Sequence, residues 1–178
     1  MTAPSAELLV DAFGRVVEAV EAAVSGLDGT ELAWRPDPDA NSIAWLVWHL
    51  TRVQDDHVAD VAGVPQVWTA EKHAERFALG LDPADTGYGH TSDQVAAVTA
   101  DAETLLAYHR AVHAATVRFV GGVVDADLDR VVDERWDPPV TLGVRLVSVI
   151  ADDLQHAGQA AYLRGLLERG TWPGAAAR

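Results

Sequence analysis

The chain has 178 residues, 49% hydrophobic and 22% charged, which is enough to bury a substantial core and predicts a single domain over residues 1–178. Thirteen Lys and Arg against twenty-seven Asp and Glu leave a formal charge of -14, a surface that repels nucleic acid and anionic membrane. The absence of cysteine excludes disulfides, thiolate zinc sites and a cysteine nucleophile.

The N-terminal stretch MTAPSAELLVDAFGRV lacks a basic segment followed by an apolar core, and no apolar run approaches the roughly 20 residues that span a bilayer. The cytoplasm is the expected location. Leu8, Leu9, Phe13, Val16, Val17, Val20 and Val24 recur at helical spacing and predict a first helix over about residues 5–25. The connector DGTELAWRPDPDANS follows, with two prolines, and Trp34 within it is expected to dock on the core. A second helix is predicted from about 42 to 62, with Asn41 as its N-cap and His49 at its middle. Residues 63–91 form a long excursion with a short helix expected around Thr69–Leu79, then a loop rich in Gly and Asp. A third helix is expected from Thr91 or Ser92 to about Val120, carrying Val95, Val98, Ala102, Leu105, Val112, Thr116 and Phe119 on one stripe. Gly121-Gly122 stops it, Val131–Arg135 reads as extended, and Pro138-Pro139 leads into the last helix. That helix, Leu142–Glu168, precedes a tail, TWPGAAAR, expected to fray. The class is all-α. Four long helices with long connections indicate a four-helix bundle, whose metal sites sit between facing helices.

The last helix carries chemistry within its apolar stripe. Leu142, Val149, His156 and Leu163 recur every seven residues, as do Leu146, Asp153, Ala160 and Leu167. Asp152 and His156 are four apart and share a face. A carboxylate and an imidazole there need a partner, and a metal ion is one solution. With His49 from the second helix they form a candidate facial triad with positions left for water or substrate. From spacing alone, a hydrogen-bonded trio without metal is as good a reading. Asp153, three residues before His156, competes with Asp152. Two further histidines, His109 and His113, stand four apart on the third helix, a spacing that can chelate an ion; no carboxylate accompanies them, and one exposed and one half-buried residue is the expectation, so the pair ranks second. Arg52, Asp56 and His57 either line a substrate mouth or form ion pairs near the end of their helix, and ion pairs are the expectation. Gln159 is placed to hydrogen-bond a ligand or a neighbouring helix. No nucleophilic serine motif and no phosphate-binding loop is present, and no catalytic residue is assigned.

The segments SIAWLVWHLTRVQDDH and VIADDLQHAGQAAYLRGLL, with the connector WRPDPDANSIAWLVWHL, resemble the DinB-like superfamily. It includes the N-terminal domain of mycothiol-dependent maleylpyruvate isomerase and the bacillithiol transferase-like proteins. The resemblance covers essentially the whole chain. It implies an up-down-down-up four-helix bundle with long crossovers and a divalent metal, often zinc or nickel, held by three side chains. Its second-helix histidine falls on His49 and its last-helix pair on Asp152 and His156. The commonest pair is His-x-x-x-His, so the aspartate departs from it, and a hard oxygen ligand suits several divalent ions. Asp153 then becomes an outer candidate beside the ligands, with Arg52, Asp56 and Gln159 as further pocket candidates. The implied activity is thiol chemistry: the metal activates a low-molecular-weight thiol, mycothiol in one branch, or water, toward an electrophilic small molecule. The competing reading is a non-catalytic metal- or small-ligand-binding bundle, with a homodimer as one assembly open to it.

Overall fold

The structure is a computed structural model that describes residues 3–170. The expected frayed tail, residues 171–178, lies outside them. Helix α1 (Pro4–Val24) begins with proline in its first turn, where no N–H is needed, and buries Phe13, Val16, Val20 and Val24. Helix α2 (Gly29–Ala33) is a single turn inside the proline-containing connector. It starts with a capping box in which Asp28 accepts from the Thr30 and Glu31 amides, and Glu31 accepts from the Asp28 amide. Trp34 packs on the main core, as expected.

Helix α3 (Ile43–Ala62) is capped by Ser42 rather than Asn41, because the Ser42 hydroxyl accepts from the Trp45 amide at 3.1 Å. Gly63, at φ 67, ends it. The one short helix expected around Thr69–Leu79 is two, α4 (Val67–Ala70) and α5 (His73–Phe77), separated where Lys72 turns left-handed at φ 61. The expected third helix is also two. A capping box of Thr91 and Gln94 starts α6 (Ser92–Ala97); the chain then extends at Val98 and restarts as α7 (Ala102–Val120). Asp101 accepts from the Thr104 amide at 2.7 Å and makes that new start. A 3-10 turn (Asp125–Asp129) leads to a small antiparallel pair, β1 (Val131–Asp133) and β2 (Val140–Thr141). Thr141 then caps α8 (Leu142–Glu168), whose bounds are those expected.

The four long helices form the bundle. α1 and α3 each pack on both α7 and α8. Side-chain pairs give the directions. The end of α8 meets the end of α1, where Arg164 reaches the carbonyls of Ala23 and Ser25, so these two are parallel. Arg110 pairs with Glu21, and Ser5 with Asp125, so α7 runs against α1. Thr51 meets His109 and Gln54 meets Thr116, making α3 and α7 parallel. His49 faces His156 while His57 faces Arg145, so α3 and α8 are antiparallel. The connectivity is up-down-down-up. Among the described residues, no helix is long and apolar enough to cross a membrane.

Candidate metal centre

The α3–α8 seam brings His49, Asp152 and His156 together, with one potential ligand atom from each lying within 4.8 Å of the others. Near-parallel alignment of two antiparallel helices does this: His49 comes from the middle of α3, and the i,i+4 pair from the middle of α8. The His49 and His156 rings approach edge to face at 4.9 Å between centroids, and His156 Nε2 lies 3.7 Å from Asp152 Oδ1. His49 is buried, and the other two are half-buried on the side facing solvent.

Each imidazole has its Nδ1 occupied. His49 Nδ1 bonds the Thr86 carbonyl oxygen, and because a carbonyl only accepts, the proton is on Nδ1 and the Nε2 lone pair is free. His156 Nδ1 bonds Gln159 Oε1 at 2.9 Å, with the same consequence. Burial lowers the His49 pKa despite the Thr86 carbonyl, so the ring stays neutral, the form that ligates. Asp152 Oδ2 is buried and has no hydrogen-bond partner among the described residues. Two imidazoles with Nδ1 already engaged and a carboxylate with an orphaned oxygen fit a divalent ion.

The segment from Asp82 to Thr91, which has no regular structure, holds His49 from above. Gly87 sits so close that a Cβ there would lie 2.9 Å from His49 Nδ1, 2.9 Å from Trp48 Cζ3 and 3.2 Å from Trp45 Cζ2. Asp85 accepts from the Gly87 amide and from His90 Nε2, while His90 Nδ1 accepts from Trp45 Nε1. Burial pushes the Asp85 carboxyl up, but these two donors outweigh it and hold it below the ordinary range. Trp45 in turn stacks on His49 at 4.6 Å and 16°. Sequence reasoning did not single out Asp85, Thr86, Gly87 or His90; the glycines flanking Tyr88 were the available signal.

The remaining candidates fall in different places. Arg52 does not line a mouth. It is fully buried, pairs with Asp55 at 3.7 Å, and donates to the carbonyls of Pro83 and Asp85, to Gln66 and to Tyr108. It is the internal bolt of the loop over His49. Asp55 beside it accepts from the Val67 and Trp68 amides and the Tyr108 hydroxyl. Asp56 accepts from Gln66 at 2.7 Å and lies beside His57, away from the triad. Asp153 is not an outer partner of the ligands. One residue turns a helix by 100°, which points it into the core, where it is fully buried and both oxygens lack partners among the described residues. Burial, with Asp152 adjacent, raises its pKa well above the ordinary value, so it is held as the neutral acid. His109 and His113 do not form the expected exposed and half-buried pair: His109 is fully buried, donating from Nδ1 to Thr51 Oγ1, whose own proton goes to the Val47 carbonyl.

No curated protein matches the chain. A solved structure described as the conserved protein of locus from Enterococcus faecalis superposes with a TM-score of 0.86 at 31% identity, covering 93% of this chain and 98% of that one. The pattern of the mycothiol-S-transferase family matches residues 8–169, nearly the whole bundle and all three triad residues. The chain belongs to the mycothiol-S-transferase family, within the DinB-like superfamily.

Proposed function

We propose that this protein is a metal-dependent S-transferase in which His49, Asp152 and His156 hold a divalent ion, zinc or nickel, and a low-molecular-weight thiol attacks an electrophilic small molecule. The family makes mycothiol the first thiol to test. The observation that carries the reading is the donor set: two imidazoles with Nδ1 committed to carbonyl oxygens, facing a carboxylate whose buried Oδ2 has no partner among the described residues. When bound, such an ion acts as a Lewis acid that lowers the pKa of a thiol or water.

The chain's own residues prepare that site. Thr86 and Gln159 fix the tautomer and ring plane of the two histidines. Trp45 covers one face of His49 and meets His156 edge-on at 6.3 Å, which keeps water from the imidazoles on the core side. Asp152 contributes one negative charge, so the donor set leaves a divalent ion with a net positive charge, favourable for an anionic sulfur. The half-exposed flank at Asp152 and His156 is the side from which substrate enters. A reducing cytoplasm, where a small thiol stays reduced, is the matching compartment.

Elemental analysis of the untagged protein tests the site, with His49→Ala and His156→Ala each expected to abolish stoichiometric metal. Full occupancy in both variants refutes the reading. Thiol consumption by the loaded protein, measured with mycothiol and chlorodinitrobenzene, tests the chemistry; no turnover across several thiols leaves a non-catalytic metal-binding bundle.

A further inference from the structure

Two cavities lie along the α3–α8 seam, one on each side of the triad. On α3 the order is Leu46, lining the first cavity, then His49, then Asp56 and His57, lining the second. α8 runs the other way and gives the same order, with Gln159 and Gly158 at the first cavity, then His156 and Asp152, then Arg145 at the second. Their volumes are about 600 and about 630 Å³, within the range of small-molecule sites. Leu46 and Gln159 are each three residues from a triad histidine, roughly 4.5 Å along the helix axis.

The two cavities differ in chemistry. The second is polar, with Asp56, Asp60, His57 and two arginines, Arg135 and Arg145, both bonded to Asp133. The first, between α8 and the connector at residues 36–41, is walled by Pro36, Ala40, Leu46, Leu163 and the ring of Tyr162, which is 66% exposed. Gln159 lies at its inner end. Its Oε1 is taken by His156, which leaves its amide N–H groups for a polar atom on a ligand. A two-substrate transfer needs both reactants held against one point. Small cellular thiols are strongly hydrophilic and match the polar side, so the apolar side is left for the other reactant.

We propose that the apolar cavity is the acceptor site, and that it takes an electrophile whose reactive carbon is carried on an apolar, aromatic group bearing a hydrogen-bond acceptor for Gln159. This rests on the S-transferase reading. With chlorodinitrobenzene as the probe, the thiol sulfur bonds to the ring carbon bearing chlorine. The carbon–chlorine bond then breaks with its electron pair leaving on chloride, and the thiol proton passes to solvent.

Gly158 supplies the test, because a Cβ built there meets nothing within 4 Å and its helical backbone accepts any side chain. Gly158→Phe therefore fills the cavity without displacing the fold, and Gly158→Ala leaves room. The variant with Phe raises the KM for chlorodinitrobenzene by roughly tenfold or more, with the KM for mycothiol and the metal content unchanged. The Ala variant, which leaves most of the volume free, raises the same KM far less than the Phe variant does. Backbone amide NMR of the protein titrated with chlorodinitrobenzene alone shifts Ala40, Asn41 and Gly158, and the shifts at Ala40 and Asn41 disappear in the Phe variant. An unchanged KM for chlorodinitrobenzene in a folded Phe variant overturns the assignment, as do shifts centred on Asp60 and Thr69. The amide titration needs no turnover, so failure of the transferase reading and failure of the site assignment are told apart.

Discussion

Gly87→Ala isolates what the loop over His49 contributes. Gly87 has φ +91, a region that disfavours any L-residue by about 1–2 kcal/mol. A second penalty is steric. The new Cβ would lie 2.9 Å from both His49 Nδ1 and Trp48 Cζ3, atoms of packed rings rather than ends of flexible chains. The loop must lift, and Thr86 then withdraws its carbonyl from His49. Losing such an orienting partner lowers metal affinity about 10- to 100-fold, which is roughly 1.4–2.8 kcal/mol. Gly89→Ala is the control: its φ of +74 carries the same backbone penalty, and a Cβ there meets nothing within 4 Å. Competition against a chromophoric zinc chelator measures both. Weakened zinc binding in Gly87→Ala alone is expected. Wild-type affinity in that variant would refute the argument that the loop orients His49.

Three further outcomes follow from the same contacts. His109 has its Nδ1 proton committed to Thr51 and no acceptor for a second proton on Nε2, so burial lowers its pKa to about 3. Protons therefore favour the unfolded chain, whose histidine titrates near 6.5. The stability is fully present above that value and falls as the pH drops, by about 2 kcal/mol between pH 6.5 and about pH 5. Urea titrations at both pH values should show a smaller difference in His109→Gln, and an undiminished one would count against the reasoning; His49, His57, His73 and His113, all lowered too, keep some slope. Asp55→Ala strands the Val67 and Trp68 amides, the Tyr108 hydroxyl and the buried Arg52, and should cost about 3–5 kcal/mol; a loss under about 1 kcal/mol contradicts this. Gln159→Ala frees His156 Nδ1 and should weaken zinc binding about tenfold with no change in melting temperature, which the chelator competition detects.

The long helices were legible where two signals coincided. For α8, the seven-residue recurrence from Leu142 to Leu167 followed the Pro138-Pro139 break, and its bounds came out as expected. For α7 the apolar spacing misled. Val95, Val98, Ala102 and Leu105 keep helical intervals straight through the break, because the chain leaves the helix at Val98 and re-enters it nearly in phase. Only Asp101, three residues before Thr104, marked the new start, and a capping signal is weaker than a continuous stripe. The burial of His109 was hidden for a different reason. Its partner, Thr51, lies fifty-eight positions away on α3, so nothing near His109 announces that a hydrogen bond is waiting for it inside the core.

The same distinction separates the triad from its support. Asp152 and His156 are legible because a helix converts a sequence interval of four into adjacency, and His49 because a helix midpoint is a poor place for an imidazole without a purpose. The support uses main-chain atoms. Thr86 contributes its carbonyl oxygen to His49, and Pro83 and Asp85 contribute theirs to Arg52, so the identities of those residues carry almost no signal. What the sequence does carry is the glycine at 87, and the structure supplies its reason, since any larger residue collides with His49. The ion pair expected of Arg52 is there, with Asp55, but nothing in the sequence announced its burial. Four separate acceptors, the Pro83 and Asp85 carbonyls, Gln66 just before α4 and Tyr108 of α7, make its burial tolerable and turn it into the residue that holds the loop down. A buried guanidinium three residues from a candidate ligand is thus a structural argument for the ligand: the fold buries a charge to hold down the loop whose carbonyl oxygen meets His49 Nδ1.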